Sequence, residues 1–124
     1  MDTHPYENCG KYIRIDVEGT REINPSTTNM LWDTVRKAAS EFDCVRFLIE
    51  GPVGQRNLSV TDMYESGERP LRDGIIGFQA AFCLPNYQPD DLTDFFITVA
   101  ANRGARIAFF SNWDEAIAWL TGPT

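Results

Sequence analysis

Strand-like and helix-like patterns alternate along the whole chain, and that alternation restricts the fold more than any other feature. Lys11 to Glu18 alternates polar and apolar residues, with Ile13, Ile15 and Val17 on one side. Period two of this kind marks a strand with one buried face. Gly19 closes it, and Asn24-Pro25-Ser26 then supplies the chemistry of a helix start. Leu31, Val35, Ala38, Ala39 and Phe42 follow on one helical face. Cys44 to Glu50 is a short, mostly apolar run bounded by Gly51-Pro52, as in a strand near a sheet centre.

The second half repeats the pattern. Ser59-Val60-Thr61-Asp62 is a capping sequence, Val60, Met63 and Tyr64 give an apolar side, and Gly67 is expected to stop the helix. Gly74 to Leu84 reads as a third strand. Asp90-Asp91 then precede a stripe of Leu92, Phe95, Phe96 and Val99, closed by Arg103 and Gly104. Ala105 to Phe110 is a fourth strand. Asn112 caps a last helix whose inner face is expected from Trp113, Ala116, Ile117 and Leu120. Trp119 falls off that face, so it either marks a partner surface or packs across the helix end. The expected fold is α/β: a single domain of four successive βα units over residues 11–121, with a largely parallel four-stranded sheet packed with helices. Residues 1–10 are expected as a flexible N-terminal tail.

Composition narrows the function. The 124 residues are 43% hydrophobic and 23% charged, enough apolar surface for one core. The net charge of −7 repels phosphate backbones, so nucleic acid is not an expected partner. No apolar run approaches the roughly 20 residues of a membrane span. The first seven residues lack both a basic region and an apolar core, so no secretory leader is expected. Three cysteines, Cys9, Cys44 and Cys83, without CxxC spacing fit free thiols in a reducing, cytoplasmic setting. Cys44 and Cys83 lie in strand-like runs, as small buried hydrophobes do; the alternative, a thiolate nucleophile, needs an electropositive, partly exposed setting. The one histidine, His4, falls in the expected tail. No Ser-His-Asp or Cys-His pair and no zinc cluster follow, and neither an enzyme nor a cofactor or metal is expected.

Several residues remain as site candidates. The Gly51 to Asn57 loop follows a strand but lacks the Gly-Lys-Ser/Thr ending of a phosphate loop. It lies where open α/β sheets bind ligands, with Arg56 and Asn57 as the candidate ligand or partner contacts, joined by Asp62. Glu50, Asp62, Asp90, Asp91 and Asp94 can be read as a metal-assisted acidic site. Asp90, Asp91 and Asp94 are equally expected at a helix start on electrostatic grounds alone. Phe78, Phe82, Phe95, Phe96, Phe109 and Phe110 allow either plain core packing or a cavity for a small apolar ligand.

The block Phe95 to Phe110, followed by Asn112-Trp113-Asp114-Glu115-Ala116-Ile117-Ala118-Trp119-Leu120, resembles the SpoIIAA-like proteins of the STAS superfamily, sulfate-transporter and anti-sigma-antagonist domains. Ser59 to Gly67 fits their middle region, and the resemblance spans roughly residues 11–121. It implies a non-enzymatic regulatory or protein-interaction module with a protein partner; a homodimer is compatible with it. In anti-sigma antagonists a Ser or Thr at a helix start is the phosphorylated switch. The matching positions here are Ser59 and then Thr61, without the usual Asp-Ser-Ser-Gly pattern. Read on its own residues, Ser59 is a helix cap.

Overall fold

The computed structural model describes residues 4–17, 22–51, 55–85 and 87–122. In chain order the elements are β1 (Tyr6–Asn8), β2 (Ile13–Asp16), β3 (Glu22–Ile23), α1 (Pro25–Phe42), β4 (Arg46–Glu50), β5 (Gln55–Arg56), α2 (Val60–Arg72), β6 (Gln79–Cys83), α3 (Asp91–Asn102), β7 (Arg106–Phe110) and α4 (Trp113–Thr121). The domain is α/β, with a five-stranded sheet in the order β1-β2-β4-β6-β7. β2, β4, β6 and β7 run parallel.

The sheet is mixed, which corrects the expected four-stranded arrangement. β1 pairs antiparallel with β2, so part of the stretch expected as a tail is a strand. Tyr-Glu-Asn carries no apolar alternation, because an edge strand is held mainly by its backbone pairing. Tyr6 adds an edge contact with Phe42 and donates its hydroxyl hydrogen to Glu41 at 2.7 Å. Residues 1–3 lie outside the described residues. β3 and β5 form a separate two-stranded parallel ribbon.

Register explains the two cores. Ile13 aligns with Phe47, which aligns with Ala80 and then Ile107; Ile15 aligns with Ile49, Phe82 and Phe109. These rows share one sheet face because side chains alternate with period two. Trp32, Val35 and Ala38 of α1, Met63 of α2, and Phe96 and Ala100 of α3 cover that face. The parallel strands advance across the sheet in one direction, and right-handed crossovers then place every connecting helix on the same side. α4 follows the last strand and has no such constraint. It packs Ala116 and Leu120 against Leu48, Ala81 and Cys83 on the opposite face.

The helix starts match their sequence signals. Asn24, Ser59, Asp90 and Asn112 each cap the helix they precede. Several inward faces differ from expectation. Gly67 does not stop α2: it is buried in the middle of the helix, where α3 approaches too closely for a side chain. The buried stripe of α2 is Met63, Gly67 and Pro70, while Val60 is exposed and Tyr64 is held outside by Arg103. In α3 the stripe is Thr93, Phe96, Val99 and Ala100, which leaves Phe95 partly exposed. Trp113, expected inside, is 50% exposed at the first residue of α4 and donates its indole N–H to Glu50 at 2.6 Å. Trp119 packs on Phe110, with the Arg106 guanidinium over its ring. The third strand is shorter than expected because Gly74 and Gly77 take positive φ and turn the chain before it.

Candidate functional site

A cavity of about 440 Å³ lies at the C-terminal ends of the parallel strands, under α1, α2 and α3. Ile49, Phe82 and Phe109 from three adjacent strands form its floor in one aligned row. Leu31 and Trp32, Met63 and Phe96 contribute walls from the three helices. Phe82 stacks on Phe109 at 4.7 Å between centroids, and Phe96 meets both rings edge-on at 6.2 Å. Tyr87 stacks on the other side of Phe109 at 5.0 Å. Interlocked rings of this kind preform the wall rather than leaving it to be shaped by a ligand.

One corner is polar. Arg56 comes from the β3–β5 ribbon and Asp90 caps α3. Their contacts are Nη2 to Oδ2 at 2.7 Å and Nη1 to Oδ1 at 3.3 Å. Arg56 Nη1 also donates to the Thr93 hydroxyl at 3.2 Å, and the Thr93 backbone N–H donates to Asp90 Oδ1 at 2.8 Å. The guanidinium, aided by that backbone N–H, holds the Asp90 carboxyl at about 2 against its ordinary 3.8. Burial, with smaller contributions from nearby charges, raises the Tyr87 phenol.

His4 lies at another point of the lining, not in a loose tail. It is buried, and its backbone N–H donates to the Thr34 hydroxyl at 3.0 Å. Burial lowers the imidazole pKa below 6.5, against an opposing pull from Asp16. The folded state therefore prefers neutral His4. The stability this contributes is full above pH 6.5 and is lost as pH falls through the lower folded value. Denaturant midpoints of the wild-type protein are expected to drop between neutral and mildly acidic pH. A His4→Gln variant should flatten that part of the profile.

The structure separates the sequence candidates. Arg56 reaches the cavity. Asn57 does not line it; its backbone N–H donates to the Ile23 carbonyl at 2.7 Å. Ser59 and Asp62 close a reciprocal capping box, Asp62 N–H to Ser59 Oγ at 3.1 Å and Ser59 N–H to Asp62 Oδ2 at 2.9 Å. Thr61 is exposed beside them. Residues 52–54 of the loop lie outside the described residues. Of the six phenylalanines, Phe82, Phe96 and Phe109 line the cavity. Phe78 packs behind it on Trp32, and Phe110 belongs to the opposite face.

The acidic candidates do not converge on one site: Asp90, Asp91 and Asp94 share the start of α3, apart from Glu50 at the end of β4 and Asp62 in α2. Glu50 is held by Arg14 at 2.8 Å and by Trp113, Asp90 by Arg56, and Asp62 by its cap. Among the described residues no group of three or more His, Cys, Asp or Glu is placed to hold a metal ion. Cys83 is buried, and burial followed by the Glu50 charge raises its thiol pKa, the opposite of an activated nucleophile. No helix among the described residues is long and apolar enough to cross a membrane. Trp32 and Tyr87 are contributors that sequence patterning did not single out. Trp32 neighbours the expected stripe of α1, and Tyr87 sits in the Pro85 to Pro89 loop, where no periodicity operates. Comparison with protein-family models gives no match, and comparison with curated proteins gives none either.

Proposed function

We propose that this domain binds a small, largely apolar molecule in the cavity and serves as its carrier or sensor, without a chemical step of its own. The observation that carries the proposal is the cavity's place and lining. It lies between one sheet face and α1 to α3, toward the C-terminal ends of the parallel strands. Its walls are aromatic and aliphatic with a few convergent polar groups, the usual make-up of a small-molecule site. Native mass spectrometry of freshly purified protein is the test. Added mass that survives gentle ionisation and is lost on denaturation is expected. A spectrum of bare protein, from cells and after incubation with apolar metabolite extracts, would contradict the proposal.

A second reading is a STAS-type regulatory or interaction module. The half-exposed Trp113 favours it, since aromatic side chains anchor many interfaces. Its switch would be Ser59, exposed at the start of α2. Phosphate there would bring added charge of about −2 beside the Asp62 carboxylate that completes the cap. Ser59→Ala is expected to cost ~1 kcal/mol, the worth of a helix cap, while Ser59→Asp replaces one capping oxygen with another. Denaturant unfolding checks the first expectation. Pull-downs with wild type, Ser59→Asp and Trp113→Ala check the reading: a partner lost with Trp113→Ala and altered by Ser59→Asp supports it, and identical captures from all three proteins argue against it.

A further inference from the structure

We infer that the cavity selects a neutral amphipathic ligand, an apolar body carrying one hydroxyl, carbonyl or amide group, and that the Arg56–Asp90 pair turns anions away. This rests on the proposal that the cavity is a ligand site. The charged side chains at the described lining are Arg56 and Asp90, and they are spent on each other through a two-pronged contact. Burial, which lowers the His4 imidazole pKa, favours its neutral form.

A ligand carboxylate would enter beside Asp90 and compete for a guanidinium already engaged. The pair is 34% and 41% exposed, so a carboxylate there keeps part of its hydration yet meets no unengaged cation, and one drawn deeper is buried without a counter-ion at a cost. Thr27 and Thr28 donate their hydroxyl hydrogens to backbone carbonyls and the Thr93 hydroxyl accepts from Arg56, so the polar groups that face a ligand are the Ser66 hydroxyl, the Gln88 amide and the Tyr87 hydroxyl. These serve a neutral head group that donates or accepts hydrogen bonds. At longer range, the chain's net charge of −7 also disfavours anions.

Asp90 holds two roles that one substitution separates. It caps α3 by accepting the Thr93 N–H, and it neutralises Arg56. Asparagine caps a helix about as well as aspartate. Asp90→Asn therefore keeps the helix start and leaves Arg56 without its anion. The selectivity of the site should then reverse toward carboxylates.

Calorimetric titration of the full chain at neutral pH, with decanol and decanoate as paired probes, tests this. Wild-type protein is expected to bind decanol at least about tenfold more tightly than decanoate. In Asp90→Asn, decanoate should gain about tenfold or more while decanol changes little. Arg56→Gln leaves Asp90 unopposed, so decanoate should weaken further and decanol should be retained. Wild-type protein that takes decanoate as tightly as decanol overturns the charge selection and leaves the cavity proposal standing. So does an Asp90→Asn protein whose preference is unchanged. Wild-type protein that binds neither probe overturns both.

Discussion

Replacing Phe47 with alanine is expected to lower the unfolding free energy by about 3–5 kcal/mol, the cost typical of a fully buried phenylalanine. Phe47 has no solvent exposure and lies in the central strand, aligned with Ile13 on one side and Ala80 on the other. Its ring is 5.5 Å from that of Phe78, which meets Trp32 of α1 edge-on at 5.6 Å. Alanine removes the first member of this chain. The small side chain of Ala80 beside it cannot fill the space, and the strand backbones are pinned by their ladders. Domains of this size have only about 5–15 kcal/mol to lose. Phe47 does not line the cavity, so its loss should appear in equilibrium denaturation rather than as a direct change of ligand contacts. A loss under about 1 kcal/mol would mean that the core relaxes around the missing ring, contrary to the packing described.

Gly67→Val is expected to cost about 2–3 kcal/mol, by overpacking rather than by a hole. A Cβ at residue 67 would lie 2.6 Å from Val99 Cγ1 and 2.8 Å from Val99 Cβ, with the Ala100 backbone nitrogen 3.2 Å away. None of these atoms is the far end of a flexible side chain, so α2 and α3 must separate. In an exposed helix the change Gly→Ala would stabilise by about 1 kcal/mol. Here Gly67→Ala should destabilise, and Val99→Ala should restore part of the loss in a double-mutant cycle. A Gly67→Ala protein more stable than wild type would show that the two helices are free to move apart.

Gly67 also shows where sequence reasoning reached its limit. A glycine late in a helical pattern has one local signature and two uses, ending the helix or admitting a neighbouring one. Only the approach of α3 distinguishes them, and α3 lies some thirty residues away in the chain. Features governed by near neighbours were legible. The caps at Asn24, Ser59 and Asn112, the Gly104 turn after α3, and the inward Ile13 and Ile15 all follow from local chemistry and period two. β1 was not legible, because a three-residue edge strand of Tyr, Glu and Asn has no apolar alternation to read. Trp113 misled for a related reason: it has the right spacing for the α4 stripe, yet its indole N–H turns to Glu50.

The candidate site was legible only in pieces. Arg56 could be placed near the strand ends from the loop that carries it, and the surplus of phenylalanines hinted at a cavity. Which three of those rings meet depends on the register that aligns Ile49, Phe82 and Phe109, and register is a property of pairing rather than of one segment. Asp90 looked like an ordinary helix-start acid. Its partnership with Arg56 spans 34 residues and exists only once the β3–β5 ribbon and α3 are in place.

If the apolar space between the sheet and α1 to α3 is a binding site, its lining must respond to a ligand. Methyl-labelled protein titrated with decanol and followed by NMR tests it most directly. Leu31, Ile49, Met63 and Leu84 line the cavity, while Leu48 and Leu120 pack on the opposite sheet face. Saturable shifts of the first group are expected, with the second group unmoved. Absence of shifts, or shifts of equal size for Leu48 and Leu120, would contradict a binding site there.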